Sequence, residues 1–169
     1  GENGKGKTTF LSLLAGTLIP TRGVVRRKPT ARVAVFAQHQ IDVLDLRSNA
    51  LDFMLAKYPG TTAVDMRPHL ARYGVTAELA QRRIGTLSGG QKARVGLAMI
   101  TWTRPHVLLM DEPTSHLDME TADALIGALA AFPGAVFVVS HDQNLITTLP
   151  DELWVLDNKR IAKWSGEFD

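Results

Sequence analysis

The start of the chain carries a spacing of glycine, lysine and threonine that suits phosphate binding. Gly1-Glu2-Asn3-Gly4-Lys5-Gly6-Lys7-Thr8 fits the pattern G-x-x-x-x-G-K-[ST] at every fixed position. Glycines let the backbone approach a phosphate closely, successive N–H groups and a helix dipole attract the anion, and a lysine balances its charge. We therefore expect the following residues to hold nucleotide phosphates, with the Thr8 hydroxyl on Mg²⁺: Asn3, Gly4, Lys5, Gly6, Lys7, Thr8 and Thr9.

Two adjacent carboxylates follow an apolar run in the second half of the chain. Residues 107–110 are apolar throughout, as in strands buried on both faces of a parallel sheet, and Asp111-Glu112 follows directly. Open parallel sheets bind ligands at the carboxyl ends of their strands. This position predicts that Asp111 binds Mg²⁺, directly or through water, and that Glu112 polarises an attacking water. Pro113 indicates that the strand ends there. Taken alone, such an acidic turn is structural about as often as functional.

A second possible anion site lies at Leu87-Ser88-Gly89-Gly90-Gln91. The serine hydroxyl and the glycine amides would stand at the start of a helix, where anions bind. The alternative is a helix N-cap with a flexible approach. The phosphate loop and the acidic pair, in this order along the chain, favour the anion site.

Hydrophobic periodicity predicts alternating helices and strands around these residues. The expected helices span 7–15 with Gly16 as C-cap, 48–57 with Ser48 as N-cap, 64–73, 77–83, 91–103, 119–131 and 142–149. The expected strands span 32–36, 107–110, 135–139, 153–156 and 160–163. This alternation predicts an α/β fold with a largely parallel sheet, closed by an antiparallel edge. We expect one domain over 1–169, with a helical subdomain at approximately 41–86.

Composition narrows the function classes. The 169 residues are 45% hydrophobic and 21% charged, which suits one domain with a sizeable core. The absence of cysteine excludes disulfides, thiolate metal sites and a cysteine nucleophile. A net charge of +2 is too small to argue for nucleic acid, and no apolar run is long enough to span a bilayer. A phosphate loop normally leaves a buried strand, so we expect a sequence cut from a longer protein.

These motifs, in this order, resemble those of the ATP-binding-cassette superfamily, whose signature motif is LSGGQ. The resemblance implies a P-loop NTPase domain with its first strands missing, and Mg²⁺-dependent hydrolysis of ATP. It implies that Gln38 senses Mg²⁺ and the attacking water, that Asp118 lies in a loop crossing to an opposite site, and that His141 contacts the γ-phosphate. The implied catalytic residues are Glu112, His141 and Gln38; the metal ligands are Thr8, Gln38 and Asp111; and the nucleotide contacts include Ser88, Gly89, Gly90, Gln91 and Asp118.

Within that superfamily the chain resembles the second cassette of the ABC-F branch, soluble twin-cassette ATPases that act on ribosomes. The similar stretches are residues 35–40, 111–118, 140–142 and 163–169, while 45–60 and 69–76 are similar to the eukaryotic general-control type. Ser115 departs from the asparagine of the branch's DEPTNHLD. The resemblance implies a cytoplasmic protein with a second cassette, ribosome binding and no membrane partner.

Three other functions remain open at this stage. A transporter's nucleotide-binding subunit would have a membrane partner. A DNA-repair or chromosome ATPase would carry long insertions between the phosphate loop and the signature, for which the spacing leaves no room. A cassette that only clamps ATP would not need Glu112 and His141.

Overall fold

A parallel three-stranded sheet forms the centre of the fold. The computed structural model describes residues 6–36, 43–115, 117–157 and 159–164. The strands are β1 (Val33–Phe36), β2 (Val107–Asp111) and β3 (Ala135–Val139), in the order β1-β2-β3. Both pairings are parallel, with Phe36 beside Met110 and Asp111 beside Val139. The carboxyl ends of the three strands therefore meet at one edge of the sheet.

The central strand is buried on both faces, as its apolar run predicts. Leu108 and Met110 are fully buried and Leu109 is nearly so. Burying such side chains stabilises the folded state by about 1.5–3 kcal/mol each. This burial fixes the position of β2 in the core and therefore the position of Asp111 at its end.

Helices and a hairpin surround the sheet. They are α1 (Lys7–Ala15), α2 (Ala50–Lys57), α3 (Ala63–Arg72), α4 (Ala77–Gln81), a 3₁₀ turn (Ile84–Thr86), α5 (Gly89–Thr101), α6 (Met119–Ala130) and α7 (Gln143–Thr148). The strands β4 (Trp154–Asp157) and β5 (Arg160–Lys163) pair antiparallel, as predicted, but within the described residues they form a separate two-stranded sheet rather than an edge of the parallel sheet. Helix α1 packs on β1 and β2, and Phe10 lies 5.6 Å from Phe137 of β3, centroid to centroid. The α/β fold with a parallel sheet is confirmed.

Two helix starts differ from the prediction, whereas one predicted C-cap is confirmed. Helix α2 is capped by Asn49 rather than Ser48, because the Asn49 side chain accepts from the Asp52 backbone N–H. Helix α5 begins at Gly89 rather than Gln91, since tertiary packing overrides the poor helix propensity of its two glycines. The predicted C-cap at Gly16 is confirmed, with φ of 77° and its N–H bonded to α1 carbonyls.

Helices α2 to α5 share an apolar core. Met54, Met66, Leu70 and Ile84 are fully buried. Helix α3 also contacts the end of α5 through His69, whose Nε2 donates to the carbonyl of Ala98 at 2.8 Å. The ring of His69 stands edge-on to Trp102 at 5.0 Å. Because a carbonyl can only accept, this contact requires a proton on Nε2 but not a charged ring.

We expect His69 to make stability depend on pH. Burial lowers its pKa from 6.5, the charges of Arg72 and Arg104 lower it further, and the bond to Ala98 raises it only in part. The unfolded chain then binds more protons just below pH 6.5, so the free energy of unfolding falls as pH drops through that value. Urea unfolding between about pH 7.5 and 5.5 will show this fall, and His69→Gln, which keeps a donor but does not titrate, will reduce it. Equal pH slopes in both proteins would contradict the assignment.

Candidate nucleotide site

Helix α1 begins where the phosphate loop ends. Gly6 adopts φ of 95° and ψ of 12°, a left-handed conformation that glycine reaches without strain. Among the described residues, no side chain caps the helix start, and none would lie within 4 Å of a Cβ on Gly6. Asn3, Gly4 and Lys5 lie outside the described residues, whereas Lys7, Thr8 and Thr9 form the first turn of α1. An open, uncapped helix start suits an anion.

Thr8 and Asp111 meet although they are far apart in sequence. The Thr8 hydroxyl donates to Oδ2 of Asp111 at 2.8 Å. The contact forms because α1 packs against β2, whose last residue is Asp111. Both side chains present oxygen, the ligand that Mg²⁺ prefers. The pairing predicted from the two separate motifs is therefore present in the structure.

Glu112 stands between two nitrogen atoms. Its Oε1 lies 3.2 Å from Nζ of Lys7, and its Oε2 lies 2.9 Å from Nδ1 of His141. The carboxylate is partly buried while the imidazole is mostly exposed. His141 follows β3 by two residues, so neighbouring strand ends bring the pair together. The structure thus gathers Lys7, Glu112 and His141 into one group.

The backbone of Glu112 is held in an unusual conformation. Its φ is 47°, in the left-handed region, where a non-glycine residue is strained by about 1–2 kcal/mol. Its N–H donates to the carbonyl of Val139 at 2.8 Å, which continues the β2–β3 pairing past the end of β2. The sheet bond therefore opposes the strain and directs the side chain toward Lys7 and His141. Strand β2 ends before Pro113, as predicted.

Glu112 is charged over the whole neutral range. Burial raises its pKa, but the hydrogen bonds from His141 and Lys7 and their charges outweigh it, so that the net pKa lies below the ordinary 4.5. An anionic Glu112 can accept a hydrogen bond from water through either oxygen. The same charge attracts the Lys7 cation, which the sequence assigns to phosphate.

The oxygen set around Asp111 fits Mg²⁺ better than a transition metal. No group of three or more His, Cys, Asp or Glu side chains that could hold a metal occurs within the described part of the chain. Mg²⁺ commonly keeps several waters and takes one or two carboxylates plus substrate phosphates. Thr8 and Asp111 supply one hydroxyl and one carboxylate, which matches that need. Gln38, the other predicted ligand, lies outside the described residues.

The signature residues form a reciprocal cap at the start of α5. Oγ of Ser88 accepts from the Gln91 N–H at 3.3 Å, and Oε1 of Gln91 accepts from the Ser88 N–H at 3.0 Å. This is a capping box, so the N-cap considered as the alternative is present. The Ser88 hydroxyl accepts in this bond and keeps its own proton to donate. A structural role and an anion-binding role are therefore compatible.

Asp118 forms the cap of the next helix. Its Oδ1 accepts from the Thr121 N–H and its Oδ2 from the Thr121 hydroxyl, each at 3.0 Å. The backbone bond from Thr121 lowers the pKa of Asp118 most, followed by the hydroxyl bond. The family resemblance assigns Asp118 to an opposite site and gives no role to Thr121. The spacing of Asp and Thr across a helix start was the available signal.

Comparison with known proteins supports the class that this fold and site define. Residues 1–115 match the protein-family model described as ABC transporter. The fold is similar to a dimeric ATP-binding cassette in a post-hydrolysis state with ADP and Pi, at TM-score 0.71 and 23% identity over 99% of this chain and 84% of that one. The chain belongs to the ATP-binding-cassette family, whose cassettes are ATPases.

Its curated relatives belong to the F branch of that family. The chain is 50% identical to the ABC transporter F family member 3 of Arabidopsis thaliana and 44% identical to the ATP-binding cassette sub-family F member 3 of Mus musculus, covering 99% and 100% of this chain. It is 41% identical to Protein GCN20 of Saccharomyces cerevisiae over 98% of the chain. It spans 24%, 24% and 22% of these relatives, about a quarter of their length. The resemblance to the F branch is thus confirmed.

Among the helices in the described ranges, none is both long enough and apolar enough to cross a bilayer.

We expect the Ser88 cap to matter for both stability and activity. Ser88→Ala removes one half of the capping box and should lower the free energy of unfolding by about 1 kcal/mol. Thr76→Ala is the matched control, because Thr76 caps α4 by accepting from the Leu79 N–H. Urea unfolding should show a loss of similar size in both variants. ATP turnover should fall only in Ser88→Ala, and an equal fall in Thr76→Ala would assign the loss to stability alone.

Proposed function

We propose that this chain binds Mg²⁺–ATP and hydrolyses its γ-phosphate as one cassette of a twin-cassette protein. The observation that carries the proposal is the hydrogen-bonded group at the carboxyl edge of the sheet. Lys7, Thr8, Asp111, Glu112 and His141 come from three separate segments and converge there. A purely structural role would not require so many charged groups to converge beside an open helix start.

Each of these residues then has a separate task. The α1 start and Lys7 would hold the phosphates, while Thr8 and Asp111 would hold Mg²⁺, which neutralises charge on the phosphate oxygens when bound. Glu112 would orient the attacking water, and His141 would contact the γ-phosphate. The work is positioning and charge stabilisation, which suits in-line phosphoryl transfer. Asn3, Gly4, Lys5, Gly6 and Thr9 would complete the phosphate contacts, with Gln38 reporting on the metal and the water.

A second cassette completes the proposed site. Ser88, Gly89, Gly90 and Gln91 would serve the partner's nucleotide, together with Asp118. Support comes from the dimeric form of the similar solved cassette and from relatives about four times as long as this chain. The partner cassette is therefore proposed to lie in the same full-length protein. The helices between residues 50 and 86 would form the subdomain that carries the signature.

Membership of the F branch extends the proposal to the whole protein. We place it in the cytoplasm, where closing of the two cassettes on ATP would favour ribosome binding and hydrolysis would reverse it. This part rests on the kinship with F-branch relatives, of which the chain spans about a quarter.

The first test is a single substitution at Glu112 in the full-length protein. We expect Glu112→Gln to lower the turnover number by about tenfold or more, since the amide orients water poorly and carries no charge. Glu152→Gln is the matched control, because Glu152 is exposed and paired with Lys163 at 2.7 Å, away from the site. Turnover is measured by phosphate release, with and without ribosomes.

The outcomes separate the parts of the proposal. Ribosome stimulation of the wild type, together with a slow Glu112→Gln that stays ribosome-bound in ATP, would support all of it. Turnover that depends on Glu112 but is unaffected by ribosomes would support ATP hydrolysis at this site and contradict the ribosome as a partner. Full turnover in Glu112→Gln would show that this site does not hydrolyse ATP.

A second prediction concerns the metal. Thr8→Val removes the hydroxyl that now meets Asp111 and keeps the side-chain shape. We expect the Mg²⁺ concentration for half-maximal turnover to rise by about tenfold, because one oxygen ligand is lost. Thr17→Val is the control, since the Thr17 hydroxyl donates to the Ser12 carbonyl at the other end of α1. An unchanged Mg²⁺ requirement in Thr8→Val would exclude Thr8 as a ligand.

A further inference from the structure

One glycine of the signature is in close contact with the helix that follows Asp118. A Cβ placed on Gly90 would lie 1.9 Å from Cγ2 and 2.4 Å from Oγ1 of Thr121. Both residues are buried, so neither can move aside into solvent. Any larger side chain at position 90 must therefore displace Thr121.

Backbone conformation does not explain this glycine. Gly90 lies inside α5 and is not among the glycines with positive φ, so alanine could adopt its backbone angles. Gly89, its neighbour in the signature, faces open space, where an added Cβ meets nothing within 4 Å. The two glycines therefore have different surroundings, although they stand side by side in one motif.

Thr121 is also held in place by hydrogen bonds to Asp118. Its hydroxyl and its backbone N–H both donate to the carboxylate of Asp118. The methyl group and the hydroxyl of Thr121 both lie against Gly90, and the hydroxyl also holds Asp118. Arg94, one turn along α5 from Gly90, is close enough for its charge to lower the pKa of Asp118. Helices α5 and α6 are therefore joined at this point by packing and by charge.

We propose that Thr121 is a positioning residue that locks Asp118 to the start of α5, so that Asp118 and Ser88 to Gln91 meet the partner's nucleotide as one rigid unit. This inference rests on the proposed function, which assigns both parts to that nucleotide. Glycine is then needed at position 90 for two reasons: it allows close approach to phosphate, and it leaves room for Thr121 to pack.

A double-mutant cycle between positions 90 and 121 tests the contact. The variants are Gly90→Ala, Thr121→Gly and the pair together, made in the full-length protein. We expect Gly90→Ala alone to lower the turnover number to about half or less, with KM for ATP changed by less than about twofold, because Lys7 and Thr8 are untouched. Adding Thr121→Gly removes every atom that the new Cβ would strike. The turnover number of the double variant should then be at most about twofold below that of Thr121→Gly alone.

Two further variants separate the branches of Thr121. Thr121→Ser keeps the hydroxyl on Asp118, and we expect turnover within about twofold of wild type. Thr121→Val keeps the shape but loses that hydrogen bond, and turnover should fall while KM stays near its original value. Gly89→Ala serves as the matched control for packing, since its Cβ meets no described residue within 4 Å and alanine is the better helix former, so it should not lower the unfolding temperature.

The outcomes are decisive in either direction. If Gly90→Ala lowers the turnover number by the same factor with and without Thr121→Gly, position 90 is needed for the nucleotide alone, and the proposed role of Thr121 is wrong. Equal turnover in Thr121→Ser and Thr121→Val would also overturn it, because the hydroxyl would then have no role. Failure of the proposed function would be seen in a different experiment, as a Glu112→Gln variant whose turnover number equals that of the wild type. In that case the unfolding temperatures of the same cycle still decide whether the two residues are in contact.

Discussion

The candidate site depends on the parallel pairing of β2 with β1 and β3. This pairing sets the ends of three strands at one edge, and the N–H of Glu112 extends it by donating to Val139 beyond the last residue of β2. Without that bond, the positive φ of Glu112 would lack the support that such strain requires. The position of one carboxylate relative to Lys7 and His141 thus follows from sheet register, and register follows from the burial of Leu108 and Met110.

The sequence predicts the elements and names the residues of the candidate site because the chemistry lies in short local patterns. The phosphate loop, the acidic pair and the signature each occupy a few consecutive residues, and the apolar run at β2 indicates its own burial. It could not find the contacts between segments. The ion pair of Lys7 with Glu112 and the packing of Gly90 on Thr121 join residues far apart in sequence, and only tertiary structure brings them together. The cap of α2 was missed by one residue because Ser48 and Asn49 can both cap a helix, and the start of α5 by two because its glycines are poor helix formers.

Several predicted functional residues also serve as helix caps. Ser88 caps α5 and Asp118 caps α6, so the same oxygen atoms stabilise the fold and stand at the places assigned to a partner's nucleotide. This double use fixes the side chains before any ligand arrives, because a capping side chain has already lost its rotamer freedom. The cost of ordering these groups is then met in folding rather than in binding, which favours preorganised contacts.

The charge state of Glu112 constrains what it can do in the proposed reaction. Its pKa is lowered by His141 and Lys7, which makes it a weak base at neutral pH. Full removal of a proton from water before attack would need a stronger base. Phosphoryl transfer with a loose transition state places little charge on the attacking water, so early proton removal contributes little. A fixed anion that accepts a hydrogen bond from water can orient it without taking the proton. The held and charged carboxylate of Glu112 therefore suits a role in orienting the water, with proton transfer following the cleavage of the phosphate bond.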